Sequence, residues 1–558
     1  MENSIITETK KIFNIIGLFS SLAFTLISDS VGKFLGKAVL WIQDCCGTTK
    51  KIDSVAKETL NSQFYIIGGG IAGLNTALLL LKEGVSGKNI TILDENEECG
   101  GIYYRHVADH GKSFFAHTVR IFDEPSYRHT EEAWRQAGIW NSDHLIKRNH
   151  DQPRQTVPSE MRAAFLEIAS KSDEELENMT IRDLFPPGMT ETPIFRYFFH
   201  LTGLFDHHSG IALKRYITHT HGHMPDNWLL KSVSCDYESI IEPIVSHLQV
   251  EGVQIEHRRA VRKLSVDENH RIVAIDSTPL GPNAKVIVTI GANVSKGLVP
   301  EGALIYDDKA TSPINPDVPL STSVIQPHSS VWLRADDELA SQIESRFPGL
   351  SEQDFIHIDT THPWQITLIS LGSAYYKEQP KGSRLFYIAM NDLSKSGLHI
   401  QRKGTDCSEA ELSEEVLRRL GIWDIVQSSP TNYTATVDSR ARQLGSRDSA
   451  PIVRFMPGEE KNLLVFPDTQ CENLAIIGER VRAYQAPVPT TEWVTETGYR
   501  AIQYLLHGER YRMTKKEFES QESLHTARFV WNSMKYKLGI TRSNFPSSVM
   551  VGPSKKPS

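Results

Sequence analysis

The hydrophobic pattern along the chain is clearest between residues 64 and 101. Apolar residues fill four consecutive positions at Phe64–Ile67, and a leucine-rich stretch from Leu74 to Leu81 follows a short glycine-rich segment. A second apolar run, Ile90–Leu93, ends at an acidic residue. Short continuous apolar runs are typical of buried parallel strands, and the stretch between these two has the length of a helix. The pattern therefore predicts a βαβ unit.

The turn between the first strand and the helix contains the motif Gly68-x-Gly70-x-x-Gly73. In a dinucleotide-binding fold the first glycine allows the tight turn, the second lets the backbone approach a pyrophosphate, and the third lets the helix pack closely on the strand. The start of the helix, with Ile71 and Ala72, offers unpaired N–H groups and a positive dipole end to the phosphates. We expect these five residues to bind a dinucleotide.

Asp94 ends the second apolar run, and Glu95 follows it. A carboxylate at this place accepts hydrogen bonds from a ribose in dinucleotide-binding folds. Gly100 and Gly101, a few residues later, suit a backbone that passes close to the cofactor. The alternative is a glycine-rich βα turn that binds nothing. The order of strand, glycines, helix, strand and acid favours a nucleotide site.

A later part of the chain is predicted to return to the same domain. A helix predicted from Asp236 to Gly252 precedes several strand signals, and the apolar run Val286–Ala292 contains Thr289 and Gly291 at its end. A helix followed by strands, with the last strand ending in Thr-x-Gly, is typical of flavoproteins with two dinucleotide folds. We expect Gly291 to lie at the cofactor.

The last predicted strand of the nucleotide domain is Asn473–Gly478, and the segment Thr495–Arg500 leads into a helix predicted at Ala501–Leu506. A strand, a glycine and then a helix near the C-terminus commonly places a helix N-terminus at a flavin ring. We therefore expect the cofactor to be FAD, with Gly478 and Thr495 among the residues that bind it.

The predicted fold class is α/β. A FAD-binding Rossmann-type domain, similar to the two-dinucleotide-binding domains, carries an inserted mixed α+β substrate domain and an added N-terminal hydrophobic helical segment. The predicted parts are 1–62 (N-terminal hydrophobic helices and linker), 63–130 (FAD-binding domain, first part), 131–235 (mainly helical substrate or cap region), 236–304 (FAD-binding domain, second part), 305–450 (substrate domain), 451–507 (FAD-binding domain, third part) and 508–558 (C-terminal helix and tail).

Residues 12–42 contain two apolar segments. Ile12–Ser28 has no charge, and as a helix it would span about 25 Å, short of a ~30 Å hydrocarbon core. Val31–Ile42 is interrupted by Lys33 and Lys37 at helical spacing. The pair is interpreted as a membrane-surface or docking hairpin that makes peripheral membrane contact. The alternatives are a helix packed on the parent domain and an uncleaved signal-like segment.

Composition narrows the class of function. The net charge of −8 over 558 residues gives no basic footprint for nucleic acid. The six cysteines show no CxxC pair at zinc or redox spacing, which favours a reducing, intracellular setting, cytoplasmic or membrane-associated through the N-terminal segment. His219, His221 and His223 alternate, but no carboxylate lies at matching spacing, so a surface or cavity-lining cluster is favoured and no metal site is expected.

Several short segments are together more specific than the glycine motif. They are Ile92–Glu95 with Gly100-Gly101, Gly203–Phe205 with Ala212–Tyr216, Asp236–Pro243, Thr289–Gly291, Asn473–Gly478 and Thr495–Arg500. In these segments the chain resembles the oleate hydratase (myosin-cross-reactive antigen) family, whose Gln-Tyr-Glu-Ser-Leu-Ile-Leu-Pro is similar to the run at Asp236–Pro243. The resemblance covers roughly residues 63–508.

The resemblance implies FAD binding, a long-chain unsaturated fatty acid as substrate, and addition of water across a cis double bond. It also implies two key residues: a tyrosine in an Arg/Lys-Arg-Tyr segment, kept here as Tyr216, and a glutamate in a Gly-Gly-Arg-Glu-Met segment. That second segment aligns with Ser113–Phe122, where Arg120 is kept but Ile121 occupies the glutamate position. An isoleucine cannot donate a proton or carry charge.

Three hypotheses follow. The first is a hydratase-like lyase whose acid or base has moved to Asp123, Glu124 or His117. The second, which we favour, is a flavin oxidoreductase of the dehydrogenase, desaturase or isomerase type acting on an apolar chain. The third is a flavin- or lipid-binding protein without turnover. The candidate catalytic residues are Tyr216, Arg120, Asp123 and Glu124, with Arg120 also a candidate for cofactor binding. We expect an apolar small-molecule partner, fatty acid or lipid-like, and we regard a homodimer as one option for the assembly.

Overall fold

Strands and helices alternate around residues 64–93 as the hydrophobic pattern predicts, in the computed structural model of the chain. The strands, in chain order, are β1 (Phe64–Ile67), β2 (Ile90–Leu93), β3 (His106–Ala108), β4 (Ser113–Phe115), β5 (Ile121–Asp123), β6 (Ile146–Lys147), β7 (Leu230–Ser232), β8 (Gln254–Glu256), β9 (Leu264–Val266), β10 (Ile272–Ile275), β11 (Thr278–Pro279), β12 (Lys285–Thr289), β13 (Ile325–Gln326), β14 (Ser329–Asp336), β15 (Ile356–Asp359), β16 (Ile366–Leu371), β17 (Ser383–Met390), β18 (Tyr433–Val437), β19 (Ile452–Val453) and β20 (Leu474–Ile477).

The described residues contain eleven α-helices. In chain order they are α1 (Lys57–Leu60), α2 (Ile71–Lys82), α3 (Arg128–Gln136), α4 (Ser159–Ser170), α5 (Asp173–Leu176), α6 (Gly210–His219), α7 (Tyr237–Val250), α8 (Asp337–Arg346), α9 (Glu409–Arg419), α10 (Trp423–Ser428) and α11 (Thr491–His507), with 3-10 turns at Gly87–Asn89, Gly101–Tyr103, Arg182–Leu184, Met189–Glu191 and Gly404–Asp406.

The structure describes most of the chain after residue 56. The described ranges are 57–103, 127–140, 159–192, 204–219, 237–289, 328–347, 361–371, 382–428 and 471–508 (except 480, 484–485 and 487–488), the strands outside these ranges, and positions 195, 298, 455, 457–458, 463, 526 and 529. The predicted hydrophobic segment 12–42 lies outside them. Within the described ranges, no helix is both long enough and apolar enough to cross a membrane.

A five-stranded parallel sheet has the predicted βαβ unit at its centre. Its strand order is β20-β12-β1-β2-β8, and all neighbouring pairs are parallel. Phe64 of β1 lies opposite Lys285 on one side and Ile90 on the other. Because the sheet is covered on both faces, its central strands are apolar at almost every position, which is why they appear as continuous runs in the sequence. The predicted α/β class with a Rossmann-type sheet is confirmed.

The carboxyl ends of the parallel strands meet at one edge of this sheet. Gly68, Asp94, Gly478 and the end of β12 at Thr289 therefore share that edge. One face of the sheet packs against α2, α3, α7 and α11 in a single apolar cluster. Ligands of open α/β sheets bind at the carboxyl edge.

A second five-stranded sheet is antiparallel, with the order β15-β16-β17-β14-β18. Alternate residues of its strands pack under α8, α9 and α10 in a separate apolar cluster. Smaller sheets pair β9, β10 and β11, β3 and β4, β13 and β19, and β5, β7 and β6. The helix α9 starts with a capping box between Ser408 and Glu411.

The described residues from α4 to α6 form three helices and two 3-10 turns. Ser172 and Glu175 form a capping box at the start of α5. Phe165, Phe185 and Phe195 pack edge to face or tilted in the core of this region, which also includes residues of α4 and α6. The aromatic side chains described here are core residues.

The helix predicted at Ala501–Leu506 begins ten residues earlier than predicted. Instead of starting at Ala501, α11 begins at Thr491, after an extended Thr490 whose side-chain oxygen accepts the N–H of Trp493. The sequence-based boundary was wrong because Gly498 was taken as a break before the helix. A β-carbon at Gly498 would lie 2.3 Å from the hydroxyl oxygen of Thr76 in α2, so this glycine lets two helices approach each other.

Glu415 provides a test of the second sheet. Its fully buried carboxylate accepts hydrogen bonds from His362 Nε2 (2.7 Å) and from the N–H groups of Leu398 (2.6 Å), His399 (3.0 Å) and Ile400 (2.8 Å). Burial alone would raise the pKa of Glu415, but these hydrogen bonds lower it to about 2. The bonds therefore stabilise the fold above the carboxylate's ordinary pKa of 4.5, and this contribution is lost as the pH falls towards about 2.

We expect Glu415→Gln to lower the free energy of unfolding at neutral pH by about 1–3 kcal/mol, because one buried acceptor and the charge are lost. The difference from the unsubstituted protein should shrink as the pH approaches about 2. Urea denaturation at several pH values measures both. Glu414→Gln, on the exposed side of the same helix, is the matched control and should change the free energy by less than about 0.5 kcal/mol.

Candidate dinucleotide site

Gly68 makes the turn at the end of β1. Its φ angle is +105°, and its N–H donates to the carbonyl oxygen of Leu93 at 2.8 Å. The hydroxyl of Thr289, at the end of β12, lies 2.9 Å from the carbonyl oxygen of Ile67 and 3.0 Å from that of Gly68. A β-carbon at Gly68 would lie 2.4 Å from this hydroxyl oxygen. The first motif glycine is therefore required by its backbone angle and by a side chain from a neighbouring strand.

Gly70 and Gly73 are glycines for different reasons. A β-carbon at Gly73 would lie 2.0 Å from the carbonyl oxygen of Gly68, so only glycine allows α2 to start this close to the strand. Among the described residues, the atom nearest to a β-carbon at Gly70 would be the Cα of Gly101, at 3.8 Å. These residues leave room for a side chain at position 70. Gly70 is the N-cap of α2, which has no side-chain cap, and the next two residues are Ile71 and Ala72.

Asp94 is buried, and backbone groups surround its carboxylate. Oδ2 accepts the N–H of Gly69 at 2.5 Å, and Oδ1 accepts the N–H of Asn96 at 2.7 Å. Each carboxylate oxygen can accept more than one hydrogen bond, so a ribose hydroxyl remains compatible with this arrangement. The carboxylate also has a role that the motif did not predict, because it holds the glycine turn against the end of β2. Glu95, the next predicted residue, is exposed.

Gly100 and Gly101 lie against the glycine turn. The N–H of Gly100 donates to the carbonyl oxygen of Gly69 at 2.9 Å, and Gly100 forms a bridge with Gly70. Both glycines have positive φ angles, +132° and +57°, and a β-carbon at Gly101 would lie 3.1 Å from the Cα of Gly70. The structure thus brings the two predicted glycine segments into direct backbone contact.

Gly69 and Cys99 complete this layer, and the sequence reasoning did not single them out. A β-carbon at Gly69 would lie 2.7 Å from both the Sγ of Cys99 and Oδ2 of Asp94. Burial, followed by the negative charge of Asp94, raises the pKa of Cys99 to about 12. The thiol is therefore protonated at neutral pH. The run of three glycines was the available signal for Gly69, whereas nothing local pointed to Cys99.

Thr495 lies at the interface of three helices. Its hydroxyl oxygen accepts Nδ2 of Asn75 in α2 at 2.8 Å, and Oδ1 of Asn75 accepts Nε1 of Trp134 in α3 at 2.9 Å. Gly478, at the end of β20, has a φ angle of +115° and donates its N–H to the hydroxyl of Thr497 at 3.1 Å. These contacts fix α11 against the helix that follows the glycine turn.

The first turn of α11 makes two further buried contacts. The hydroxyls of Thr491 and Tyr103 are 2.5 Å apart. The carboxylate of Glu492 accepts the N–H groups of His129 (3.0 Å) and Thr130 (2.9 Å), and it lies 2.9 Å from His129 Nδ1. Glu492 is 1% exposed, so these bonds are shielded from water. These side chains form long-range contacts that no local sequence pattern indicates.

Tyr216 lies in another part of the structure, on α6. It packs against the apolar cluster of the helical region, and the neighbouring Lys214 and Arg215 form ion pairs with Asp173. Burial alone would raise the pKa of Asp173, but Arg215 and Lys214 lower it. The helical region joins the nucleotide domain near residue 455, where the N–H of Ser209 donates to the carbonyl oxygen of Phe455.

The strand β5 spans the position at which the resemblance places a glutamate. Ile121 pairs with Ser232 and Asp123 pairs with Leu230 of β7. Arg120, Glu124, His117 and Gly291 lie outside the described residues, as do His221 and His223. The described cofactor candidates at the carboxyl edge are thus brought together, whereas the two described catalytic candidates, Tyr216 and Asp123, lie on α6 and β5.

Comparison with known families supports this architecture. Residues 127–299 match the model of the MCRA family, and residues 66–137 match that of an NAD(P)-binding Rossmann-like domain. The chain is 23% identical over 514 residues to an oleate hydratase of Streptococcus pyogenes serotype M49 (strain NZ131), and the match covers 80% of this chain and 85% of that protein. The resemblance to the oleate hydratase family is thereby confirmed.

Solved structures share the fold at low sequence identity. Wild-type putrescine oxidase with bound putrescine matches with a TM-score of 0.54 and 10% identity, covering 79% of this chain and 98% of that one. A double mutant of putrescine oxidase matches with a TM-score of 0.54 and 11% identity, covering 80% and 99%. At these identities the likeness concerns the fold.

We expect substitutions of Gly70 and Gly73 to have different effects. Gly70→Ala should leave the fold intact, because the position has room and an ordinary backbone angle, but it should weaken dinucleotide binding at least ~10-fold through contact with the pyrophosphate. Gly73→Ala should lower the free energy of unfolding by about 3 kcal/mol or more even without ligand. Thermal unfolding and cofactor titration of both variants measure this. Equal loss of stability in the two variants would contradict the assignment.

We expect the contribution of His129 to the free energy of unfolding to depend on pH. Burial alone would lower the pKa of its imidazole, but Glu492, through its hydrogen bond and its charge, raises it above 6.5; Glu496 adds to this and Arg128 opposes it. The His129–Glu492 pair therefore contributes fully below pH 6.5, and the contribution is lost as the pH rises through the raised folded-state pKa.

The destabilisation caused by His129→Gln should accordingly be larger at about pH 6 than at about pH 9. Urea denaturation at a series of pH values measures it. In a Glu492→Gln background the additional destabilisation at about pH 6 should disappear, because the partner that raises the pKa of the imidazole above 6.5 is gone. A difference that does not change with pH in the unmodified background would exclude the pair as the cause.

Proposed function

We propose that this chain, a relative of the oleate hydratases, is a FAD-dependent enzyme that acts on a long-chain unsaturated fatty acid or a similar apolar chain, and that its reaction is an oxidoreduction of the dehydrogenase, desaturase or isomerase type. The reaction type is proposed from Ile121, an isoleucine in β5 at the position where the resemblance to the family implies a glutamate. The substrate class follows from the relative's name, oleate hydratase.

The carboxyl edge of the parallel sheet fits a dinucleotide cofactor. Among the described residues, a β-carbon at position 70 would meet only the Cα of Gly101, at 3.8 Å, which is compatible with the approach of a phosphate group to this backbone. The first turn of α2 has no side-chain cap and no acidic residue. No carboxylate of this turn therefore competes with an anionic ligand for its N–H groups and positive dipole end. Asp94 lies beside the turn at the place of a ribose-binding acid. Gly68, Gly70, Gly73, Gly100 and Gly101 would hold the pyrophosphate half.

When bound, the flavin supplies a two-electron acceptor for hydride. The residues of the chain would bind the apolar substrate, exclude water and hold it in line with the cofactor. An isoleucine suits this task, since an ionised group at position 121 would hold water in an apolar channel. Tyr216 and Arg120 are the candidates to orient the substrate. Oxygen or a soluble carrier would reoxidise the cofactor.

Hydration is the second candidate, and the pairing of β5 supports a specific form of it. Positions 121 and 123 are two apart in one strand, and such positions lie on the same face of a sheet. Asp123 therefore replaces the missing glutamate more directly than Glu124, which falls outside the described residues. In this form Asp123 would act as the acid or base and Tyr216 would contribute the other polar group.

One anaerobic experiment separates the candidates. Protein purified with its flavin is mixed with oleate without oxygen, in water enriched in heavy oxygen. Loss of the visible absorption of oxidised flavin without labelled product supports the oxidoreductase. A labelled hydroxyl product without loss of absorption supports hydration. If neither occurs, recovery of an isomerised fatty acid supports the isomerase type, whereas recovery of unchanged oleate means that the protein does not turn over this substrate. A protein that takes up no FAD would contradict the whole proposal.

Substitution of Ile121 tests the role of position 121. Ile121→Glu should slow flavin reduction by substrate at least ~10-fold, because a buried unpaired carboxylate disrupts an apolar channel. Ile121→Leu keeps the apolar character and should retain most of the activity. Stopped-flow measurement of both variants gives the rates. Equal rates for the glutamate and leucine variants would place position 121 away from the substrate.

A further inference from the structure

We propose that Thr491 and Glu492, the first two residues of α11, are positioning residues that hold both ends of the connection between Tyr103 and Arg128, and thereby fix the placement of β5. The importance of this placement for turnover rests on the proposed function, which puts position 121 at the reaction centre. The hydrogen bonds themselves stand independently of that function.

Thr491 holds the first end. Its hydroxyl is 2.5 Å from the hydroxyl of Tyr103, and the two side chains are 8% and 4% exposed. Tyr103 ends the 3-10 turn that starts at Gly101, and its N–H donates to the carbonyl oxygen of Gly100 at 3.0 Å. This end is therefore tied both to α11 and to the glycine layer of the dinucleotide site.

Glu492 holds the second end. Its two carboxylate oxygens accept the N–H groups of His129 and Thr130, the second and third residues of α3, and Oε1 also bonds His129 Nδ1. The N-cap residue of α3, Tyr127, provides no side-chain cap of its own. A buried carboxylate from another helix thus supplies the cap, and it places a negative charge at the positive end of the α3 dipole.

The two contacts act at one place because the residues that make them are neighbours in sequence. Consecutive Cα atoms are about 3.8 Å apart, so Thr491 and Glu492 bring the two ends of the connection to adjacent points of α11. Between these ends lies β5, which pairs with β7 of the chain segment that follows α6. A strand anchored by its pairing and by both ends of its connection has little freedom to shift.

The chain offers a control that separates this role from general stability. The side-chain hydroxyl of Thr130 is buried in the same interface, 3.4 Å from that of Thr495, whereas its N–H is the group that Glu492 binds. Thr130→Val removes a buried hydroxyl and leaves the backbone contact in place. If Thr491 and Glu492 served only to stabilise the helix interface, substitutions of these two residues and Thr130→Val would have the same effect.

The test uses the full chain with its flavin bound and follows amide hydrogen exchange of peptides that cover 121–123 and 230–232. Thr491→Val and Tyr103→Phe each remove one hydroxyl of the same pair. Each should raise exchange in these peptides about fivefold, the effect of about 1 kcal/mol from one buried hydrogen bond. The double variant should show no further rise in exchange. Thr491→Ser keeps the hydroxyl and should exchange at the original rate. Thr130→Val should leave the peptides unchanged.

Glu492→Gln should raise exchange more than either hydroxyl variant, because an amide NH2 group replaces an acceptor of backbone N–H. If exchange at 121–123 stays at its original level in Thr491→Val and Tyr103→Phe, or rises equally in Thr130→Val, the inference is overturned. The hydroxyl variants keep the test valid if Glu492→Gln does not fold.

Turnover is measured on the same variants to separate the inference from the proposed function. A fall in kcat of about fivefold with little change in KM is expected if the placement of β5 sets the geometry at the reaction centre. Raised exchange together with unchanged turnover supports the positioning role and contradicts the assignment of position 121 to the reaction centre.

Discussion

The close approach of backbone to backbone at the carboxyl edge of the parallel sheet is the constraint on which the rest of the nucleotide domain depends. The turn after β1, the start of α2 and the Gly100–Gly101 segment touch through main-chain atoms. Any side chain at Gly68, Gly69 or Gly73 would separate these layers, because a β-carbon there would lie within 2.0–2.7 Å of existing atoms. Asp94 and Thr289 hold the layers together by hydrogen bonds to the same turn. Among the described residues, a β-carbon at Gly70 would make only an ordinary contact, at 3.8 Å, and this difference separates the glycines that build the turn from the one proposed to make room for a ligand.

The C-terminal helix α11 connects this layer to the chemistry proposed beyond it. Its first turn contacts Tyr103 and α3, its second contacts α2, and Thr497 bonds the turn after β20. The ring of Trp493, also in the first turn, packs 5.9 Å from that of Phe455, whose carbonyl oxygen bonds the residue before α6. The contacts that link the helix carrying Tyr216 to the nucleotide domain thus include this aromatic pair and the neighbouring hydrogen bond. The two parts of the proposed active centre therefore belong to chain segments that are both linked to α11.

The sequence predicted the parts of the structure that depend on local rules. The βαβ unit follows from two apolar runs and three glycines, and the capping boxes at Ser172 and Ser408 follow from residues three positions apart. The start of α11 was missed because Gly498, a poor helix former, is tolerated there by packing against Thr76, which no local pattern reveals. The location of Asp94 was predictable, but its bond to Gly69 depends on the turn geometry. Glu492 escaped notice because its partners lie more than 360 residues away. Tyr216 and Ile121 were singled out only through the family resemblance.

The distance along the chain between Asn75 and Thr495, 420 residues, has a consequence for synthesis. The glycine turn and α2 leave the ribosome early. The strand β12 emerges only after the helical region, and β20 and α11, which complete the sheet and cover α2, emerge only after the second sheet as well. During elongation the first βαβ unit therefore carries unpaired strand edges and an uncovered helix face, and such surfaces favour aggregation. Folding of the nucleotide domain becomes one of the last events of synthesis, and chains that stop before α11 would be recognised by chaperones and proteases as incomplete.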